Sequence, residues 1–255
     1  MKSFILGITL VLLDILFVFA QQENSLEAVQ AKKGGKVIII DVGHGGKDSG
    51  ATASHIINGE QIIMKEKDIS LGIAMALKEK LILAFPDTKV FLTREDDVYI
   101  PLSERMEPAD SQGLDTNKTA LYISIHTNWS ANKNFRGYRF FVNDNHPKND
   151  ESFQLATMLS LEFSREYEEH EIPNRGILNR QFIPLNSLFI PTVMLEMGNI
   201  NNSEDAALLS ADQEFDRCAS ALAKGIAAYL AVNIPNSRQH SKRVGAYYLL
   251  SGFSS

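Results

Sequence analysis

Four short runs constrain the fold most: KVIIID (36–41), KVFLTR (89–94), ALYISIH (120–126) and PTVMLE (191–196). Each is dense in β-branched and large apolar residues, and none alternates apolar with polar. Such runs read as strands covered on both faces, the pattern of a largely parallel sheet. YRFFV (138–142) reads as a fifth strand. Between the runs the spacing changes to that of helices. Ile69, Ile73 and Leu77 recur every four residues from Glu66, with Ala74 and Leu81 beside them, until Phe85-Pro86 stops the segment. Leu155, Leu159, Phe163 and Tyr167 predict a second helix from Asp150 to about His170, ahead of Pro173. Phe215, Ala219, Leu222, Ile226 and Leu230 predict a last one, and Cys218 lies beside that stripe. Strands alternating with helices place the chain in the α/β class. With no internal repeat and no linker, the expectation is a single domain: a mostly parallel or mixed central sheet of about five or six strands, flanked by helices.

The two ends read differently from this body. After Lys2, Phe4 to Ala20 is an apolar run ending Val18-Phe19-Ala20 before polar QQENS, so residues 1–20 read as a signal peptide cleaved after Ala20. An uncleaved anchor is the competing reading, but 17 residues interrupted by Asp14 are short for a span. The remaining divisions are a leader (21–35), a central domain (36–233) and a C-terminal tail (234–255). The expectation is therefore an exported protein, periplasmic or secreted, with no membrane span after cleavage. Its single cysteine, Cys218, allows no internal disulfide and suits a packing role in a helix. The net charge of −6 excludes a nucleic-acid surface, which needs a basic stripe to displace counterions.

Three of the runs finish on groups that bind metal or move protons. Asp41 and His44 follow the first, His126 ends the third, and Glu196 ends the run before the last helix. In open α/β sheets ligands bind beyond the carboxyl ends of the strands, so these residues converge on one rim. The first run opens into DVGHGGKDSGA, which resembles a phosphate loop but fails both registers. Counting from Gly43, the sixth place of a dinucleotide fingerprint is Asp48, and Gly46-Lys47 is followed by Asp48 where a P-loop has Ser or Thr. The glycines instead allow the backbone to turn tightly around the His44 ring. Imidazoles and carboxylates suit zinc, and three protein ligands with an open fourth position make a catalytic site. His44 and His126 supply two. Glu66 is a candidate third, although on that residue alone an acidic side chain at a helix start is better explained by the helix dipole.

IIIDVGHGGKDSGA, EKDISL, TREDDVYIPLSER, YISIHTN and PTVMLEMGNINNSEDAALL, in this order and spacing, resemble the zinc-dependent N-acetylmuramoyl-L-alanine amidases of the type-3 family. The resemblance runs from about Lys36 to about Leu230. It implies an α/β hydrolase of peptidoglycan with one zinc ion per chain. His44, Glu66 and His126 would hold the metal and Glu196 would be the catalytic carboxylate. The bond cut would join the lactyl group of N-acetylmuramic acid to L-alanine of the stem peptide, in cell-wall cleavage, remodelling or cell separation. A zinc peptidase acting within the stem peptide, or a non-catalytic peptidoglycan-binding relative, are the alternatives. Val42, Thr127 and Asn199 depart from the family pattern at positions that are neither ligand nor base.

Other residues remain open on sequence alone. Asp41 reads as a group that orients a ligand or the loop. Arg94 and the YIPLSER stretch could hold substrate carboxylates, or Arg105 could simply pair with Glu104 on a helix surface. Trp129 could stack on a sugar or peptide, or be an ordinary half-buried aromatic. Gly50 to Glu66 reads as a long, apolar loop. Between RGYRFFV and RGILNR there is room for about one ordinary helix and no plug, so the metal is expected to be open without an activating partner. The protein is expected to be a monomer.

Overall fold

The computed structural model describes residues 36–105, 120–170, 172–181 and 190–232. The expected signal peptide (1–20), leader (21–35) and tail (234–255) lie outside the described residues. A six-stranded sheet runs in the order β4-β1-β5-β8-β6-β7. Its strands are β1 (Lys36–Val42), β4 (Thr88–Leu92), β5 (Ala120–Asn128), β6 (Tyr138–Val142), β7 (Asn174–Asn179) and β8 (Thr192–Asn199). β4, β1, β5 and β8 are mutually parallel, whereas β6 is antiparallel to β8 and carries β7 parallel to itself. The helices are α1 (Glu66–Ala84), α2 (Asn149–Tyr167), α3 (Ser203–Leu209) and α4 (Asp212–Ala231), with a 3₁₀ turn at Glu168–His170. All five strands and all three long helices read from the sequence are present.

Because side chains alternate across a strand, each run feeds two environments. Ile38, Ile40 and Val42 of β1, Leu121, Ile123 and Ile125 of β5, and Val193, Leu195 and Met197 of β8 join one large core. The apolar residues of α1, α2, α3 and α4 pack into that same core, Cys218 among them. The opposite face holds smaller clusters, Val37, Ile39, Ala120, Tyr122 and Ile190 in one and Phe141 with Met194 in another. Asp41, His126, Arg139 and Glu196 fall on this second face by the same alternation. The runs thus lack an apolar–polar period because both faces are buried, yet only one face is given to the helices.

The stretch from Gly50 to Glu66 is not a loop. It is an antiparallel hairpin of β2 (Thr52–Ile57) and β3 (Glu60–Lys65), closed by Asn58 and Gly59, both at positive φ. Positive φ at both central positions is the turn that an Asn-Gly pair favours between twisted strands. β3 runs straight into α1, so Glu66 is the first helical residue. The first amides of α1 are taken by the preceding loop, Glu66 N donating to Ala51 O at 2.9 Å and Lys67 N to Ser49 O at 3.2 Å. This fixes the helix start against the glycine-rich segment.

Candidate functional site

The loop after β1 closes on itself through Gly45 N to Asp48 O, 2.9 Å, and Asp48 N to Gly45 O, 3.1 Å. His44 sits within this turn at φ 59°, a left-handed conformation uncommon for a side-chain-bearing residue. Its backbone is held by two buried arginines. Arg105 donates to Val42 O and His44 O, both at 2.7 Å, and pairs with the fully buried Asp41 at 2.9 Å. Arg94 donates from Nη2 to Gly43 O at 2.8 Å and Lys67 O at 2.7 Å. Asp41 also accepts from Ser124 at 2.6 Å and Thr93 at 3.1 Å, tying β1 to β5 and to the end of β4. The carbonyls of a glycine-rich turn have no strand partner, and buried they need donors. Arg94 and Arg105 satisfy the loop, and Arg105 pairs with buried Asp41, not with Glu104 on a helix surface.

The held loop, the first residue of α1 and the end of β5 bring three side chains together. His44, Glu66 and His126 each offer one ligand atom, and these atoms lie within 4.8 Å of one another. Glu66 Oε2 is 3.0 Å from His44 Nε2 and accepts from Ala51 N at 2.9 Å. Glu66 Oε1 is 2.9 Å from His126 Nδ1 and accepts from Thr127 N at 3.1 Å. The two imidazole rings meet edge to face, 5.0 Å between centroids. A Cβ at Gly50 would lie 2.5 Å from the His44 ring and 2.6 Å from Glu66 Oε2, and one at Gly43 would lie 2.6 Å from the His126 ring. These two glycines are what let three ligating groups crowd one point. Two neutral-capable imidazoles and a carboxylate are the donor set zinc takes, and the cluster fits that ion.

Burial alone would push the Glu66 carboxyl up, but hydrogen bonds and charge from His126 and His44 hold it well below its ordinary value. Burial lowers His44, and the Glu66 and Asp48 carboxylates more than offset it, so its affinity for a proton is raised. Asp48 was noticed in the sequence only as the residue that spoils two phosphate registers. In the structure its Oδ2 lies 2.9 Å from His44 Nδ1 while its Oδ1 accepts from Gly50 N at 3.1 Å. It therefore sets which ring nitrogen of His44 faces Glu66, a service that metal-binding histidines usually receive from a neighbour.

Glu196 stands on β8 directly opposite His126 on β5 and Arg139 on β6. Burial raises its carboxyl above the ordinary value, with Arg139 offsetting only part of the effect. An open cleft of about 630 Å³ is lined by His44, Glu66, His126 and Glu196, with Tyr99 and Trp129 on its walls. Trp129 is half exposed, at 52%. All four site residues read from the sequence are thus in one cleft. The helix between β6 and β7, α2, buries Leu155, Leu159 and Phe163 in the helix-side core, away from the face that carries His126 and Glu196. Asn199, one of the departures from the family pattern, is buried and holds the chain after β5, accepting from Ser130 N at 3.0 Å.

A mixed α/β sheet with a His-Glu-His cluster and a second carboxylate at the carboxyl edge of its parallel strands defines a class of proteins able to hold one divalent cation in an open cleft. The Amidase_3 family model, N-acetylmuramoyl-L-alanine amidase, matches residues 38–228, and the chain belongs to that family. It is 32% identical over 196 residues to the endolysin of Bacillus phage SPP1, covering 76% of this chain and 66% of that protein. It is 28% identical to the N-acetylmuramoyl-L-alanine amidase AmiA of Escherichia coli, covering 86% of this chain and 85% of AmiA. Among solved structures, the N-acetylmuramoyl-L-alanine amidase AmiC2 of Nostoc punctiforme superposes with a TM-score of 0.66 at 28% identity, over 79% of this chain and all of that one.

Proposed function

We propose that the protein hydrolyses the amide bond between N-acetylmuramic acid and the L-alanine of peptidoglycan stem peptides, using one zinc ion per chain. The observation that carries this reading is the clustering of the His44, Glu66 and His126 ligand atoms within 4.8 Å, in the same cleft as Glu196. His44, Glu66 and His126 would hold the metal. When bound there, zinc supplies Lewis acidity that polarises the scissile carbonyl and lets water ionise near pH 7. The protein's own contribution is proton transfer. Glu196 takes a proton from the attacking water and delivers it to the departing amine as the C–N bond breaks. Its raised proton affinity suits a group that must be charged in one step and protonated in the next. Asp48 keeps His44 in the tautomer that aims Nε2 at the cluster.

The remaining readings belong to the same proposal. Residues 1–20 direct export and are removed, residues 36–233 form the catalytic unit, and the protein works as a monomer on the cell wall outside the cytoplasm. No helix among the described residues is long and apolar enough to cross a membrane. α2 is packed into the core, and this supports turnover without an activating partner.

A zymogram on purified peptidoglycan, with and without a chelator, tests the metal requirement, and mass spectrometry of the products tests the bond. The expected result is chelator-sensitive clearing by the protein alone, with stem peptides released whole from their amino-terminal L-alanine. Products cut within the stem would assign a peptidase instead. Binding without cleavage in the zinc-loaded protein would leave only a wall-binding role.

A further inference from the structure

We infer that Arg139 is a positioning residue for the reaction: its guanidinium clamps one oxygen of Glu196 and ties it to the strand of His126, leaving the other oxygen for proton transfer. The inference rests on the reading of Glu196 as the proton carrier. Nε of Arg139 lies 2.7 Å and Nη2 2.6 Å from Glu196, and both reach the same atom, Oε2. A guanidinium usually meets a carboxylate with two donors on two oxygens. Here both donors converge on Oε2, and Oε1 has no partner among the described residues.

The clamp extends to the metal-binding side of the cleft. Nη2 of Arg139 also donates to Asn128 Oδ1 at 3.0 Å. Asn128 lies two residues beyond His126, just past the register shift between β5 and β8. One planar group therefore bridges the strand that carries the base and the strand that carries a candidate ligand. The guanidinium carbon also lies over two rings, 5.4 Å from the Phe135 centroid and 5.0 Å from that of Phe141. Arg139 does not line the cleft. With Nε and Nη2 given to Glu196 and Asn128 outside the cleft lining, it acts on the reaction through Glu196.

Lysine does not reproduce this. Its ammonium is a point charge on a flexible stem and lacks the fork that spans two acceptors. The test compares R139A, R139K and E196Q with wild type on a soluble muramyl-peptide fragment, after zinc stoichiometry and thermal melting are measured for each. R139A is expected to lower kcat on the order of 100-fold with KM within about twofold, as for a reacting group displaced by a fraction of an ångström to 1 Å. Added guanidinium chloride at millimolar, non-denaturing concentration should restore at least about fivefold of the loss, and R139K should fall between wild type and R139A. R139A that turns over at the wild-type rate while E196Q is inactive would overturn the inference and leave the base assignment standing. So would a loss in a zinc-loaded, stable R139A that guanidinium does not relieve. Should R139A fail to fold, R139K decides: unchanged kcat overturns the inference, and lowered kcat at unchanged KM with guanidinium rescue supports it. A fully active E196Q removes the base assignment itself.

Discussion

Glu66 and Glu196 are the same residue type in one cleft, and the fold treats them in opposite ways. Both oxygens of Glu66 are engaged, one by His126 and the Thr127 amide, the other by His44 and the Ala51 amide. Every partner favours the charged form, and the carboxyl is held well below its ordinary value. Glu196 meets one arginine on one oxygen, and burial leaves its proton affinity raised. A ligand has to stay a carboxylate, whereas a proton carrier has to change state near working pH. On the proposed assignment of Glu66 as ligand and Glu196 as proton carrier, the environments, not the residue type, divide those tasks.

Removing Glu66 breaks the contrast most severely. E66A should lose stoichiometric zinc uptake and all measurable turnover, well beyond the roughly 10–100-fold typical of losing an outer partner of a ligand. Metal content after dialysis and a zymogram would show it, and an E66A protein that keeps both would disprove the ligand set. E196Q should separate the two glutamates cleanly. It keeps zinc at wild-type stoichiometry while kcat falls about 10²- to 10⁴-fold, the usual scale of general acid–base catalysis. Single-turnover rates on zinc-loaded protein measure this without interference from metal loss.

The next effect is smaller because Asp48 touches the cluster only through His44. D48N keeps the side-chain shape but no longer offers a carboxylate to Nδ1, so zinc affinity or kcat should drop roughly 10–100-fold. Competition against a chelator of known affinity reads the first, and initial rates at saturating zinc read the second. Unchanged values in both would mean that the Arg94 and Arg105 clamps on the loop backbone suffice to aim the ring.

What the sequence made legible follows the same division. Glu66, at a helix start that the helix dipole already explains, came only from the family resemblance. His44, His126 and Glu196 were legible as candidates because each sits at or just past the end of an apolar run, where fold rules say side chains converge. Asp48 was not, since its relation to His44 exists only once the loop bends back through the Gly45–Asp48 pair and no periodicity applies there. Arg139 did leave a trace: a charge inside YRFFV, an otherwise buried strand, requires a partner. The Asn58-Gly59 pair likewise marked the β2–β3 hairpin, yet the apolar residues around it mimicked a loop inserted against the core. β7 and α3 are short and half polar, and their residues gain order from packing against β6, β8 and the large core more than from any local pattern. The arginines of the TREDDVYIPLSER stretch pointed toward the site, but only tertiary structure shows that they satisfy loop carbonyls.

Glu214 supplies the control that sharpens the comparison, because burial alone should not make a glutamate catalytic. It lies in α4, fully buried, accepting from the Tyr167 hydroxyl and pairing with Arg217 at 2.9 Å, outside the cleft. Burial raises its carboxyl above the ordinary 4.5, with Tyr167 and Arg217 offsetting part of the shift. The folded state then binds this proton more tightly than the unfolded state does. The resulting stabilisation is complete below the unfolded value and is lost as pH climbs through the folded one. E214Q cannot titrate, so wild type should lose stability relative to the variant as pH rises from about 4.5 toward neutrality. Their Tm difference should therefore move in that one direction across the range. Paired melting curves across that range measure it, and parallel curves would contradict the raised proton affinity. Turnover by E214Q should stay within about twofold of wild type, since Glu214 shares burial with Glu196 but not its access to substrate.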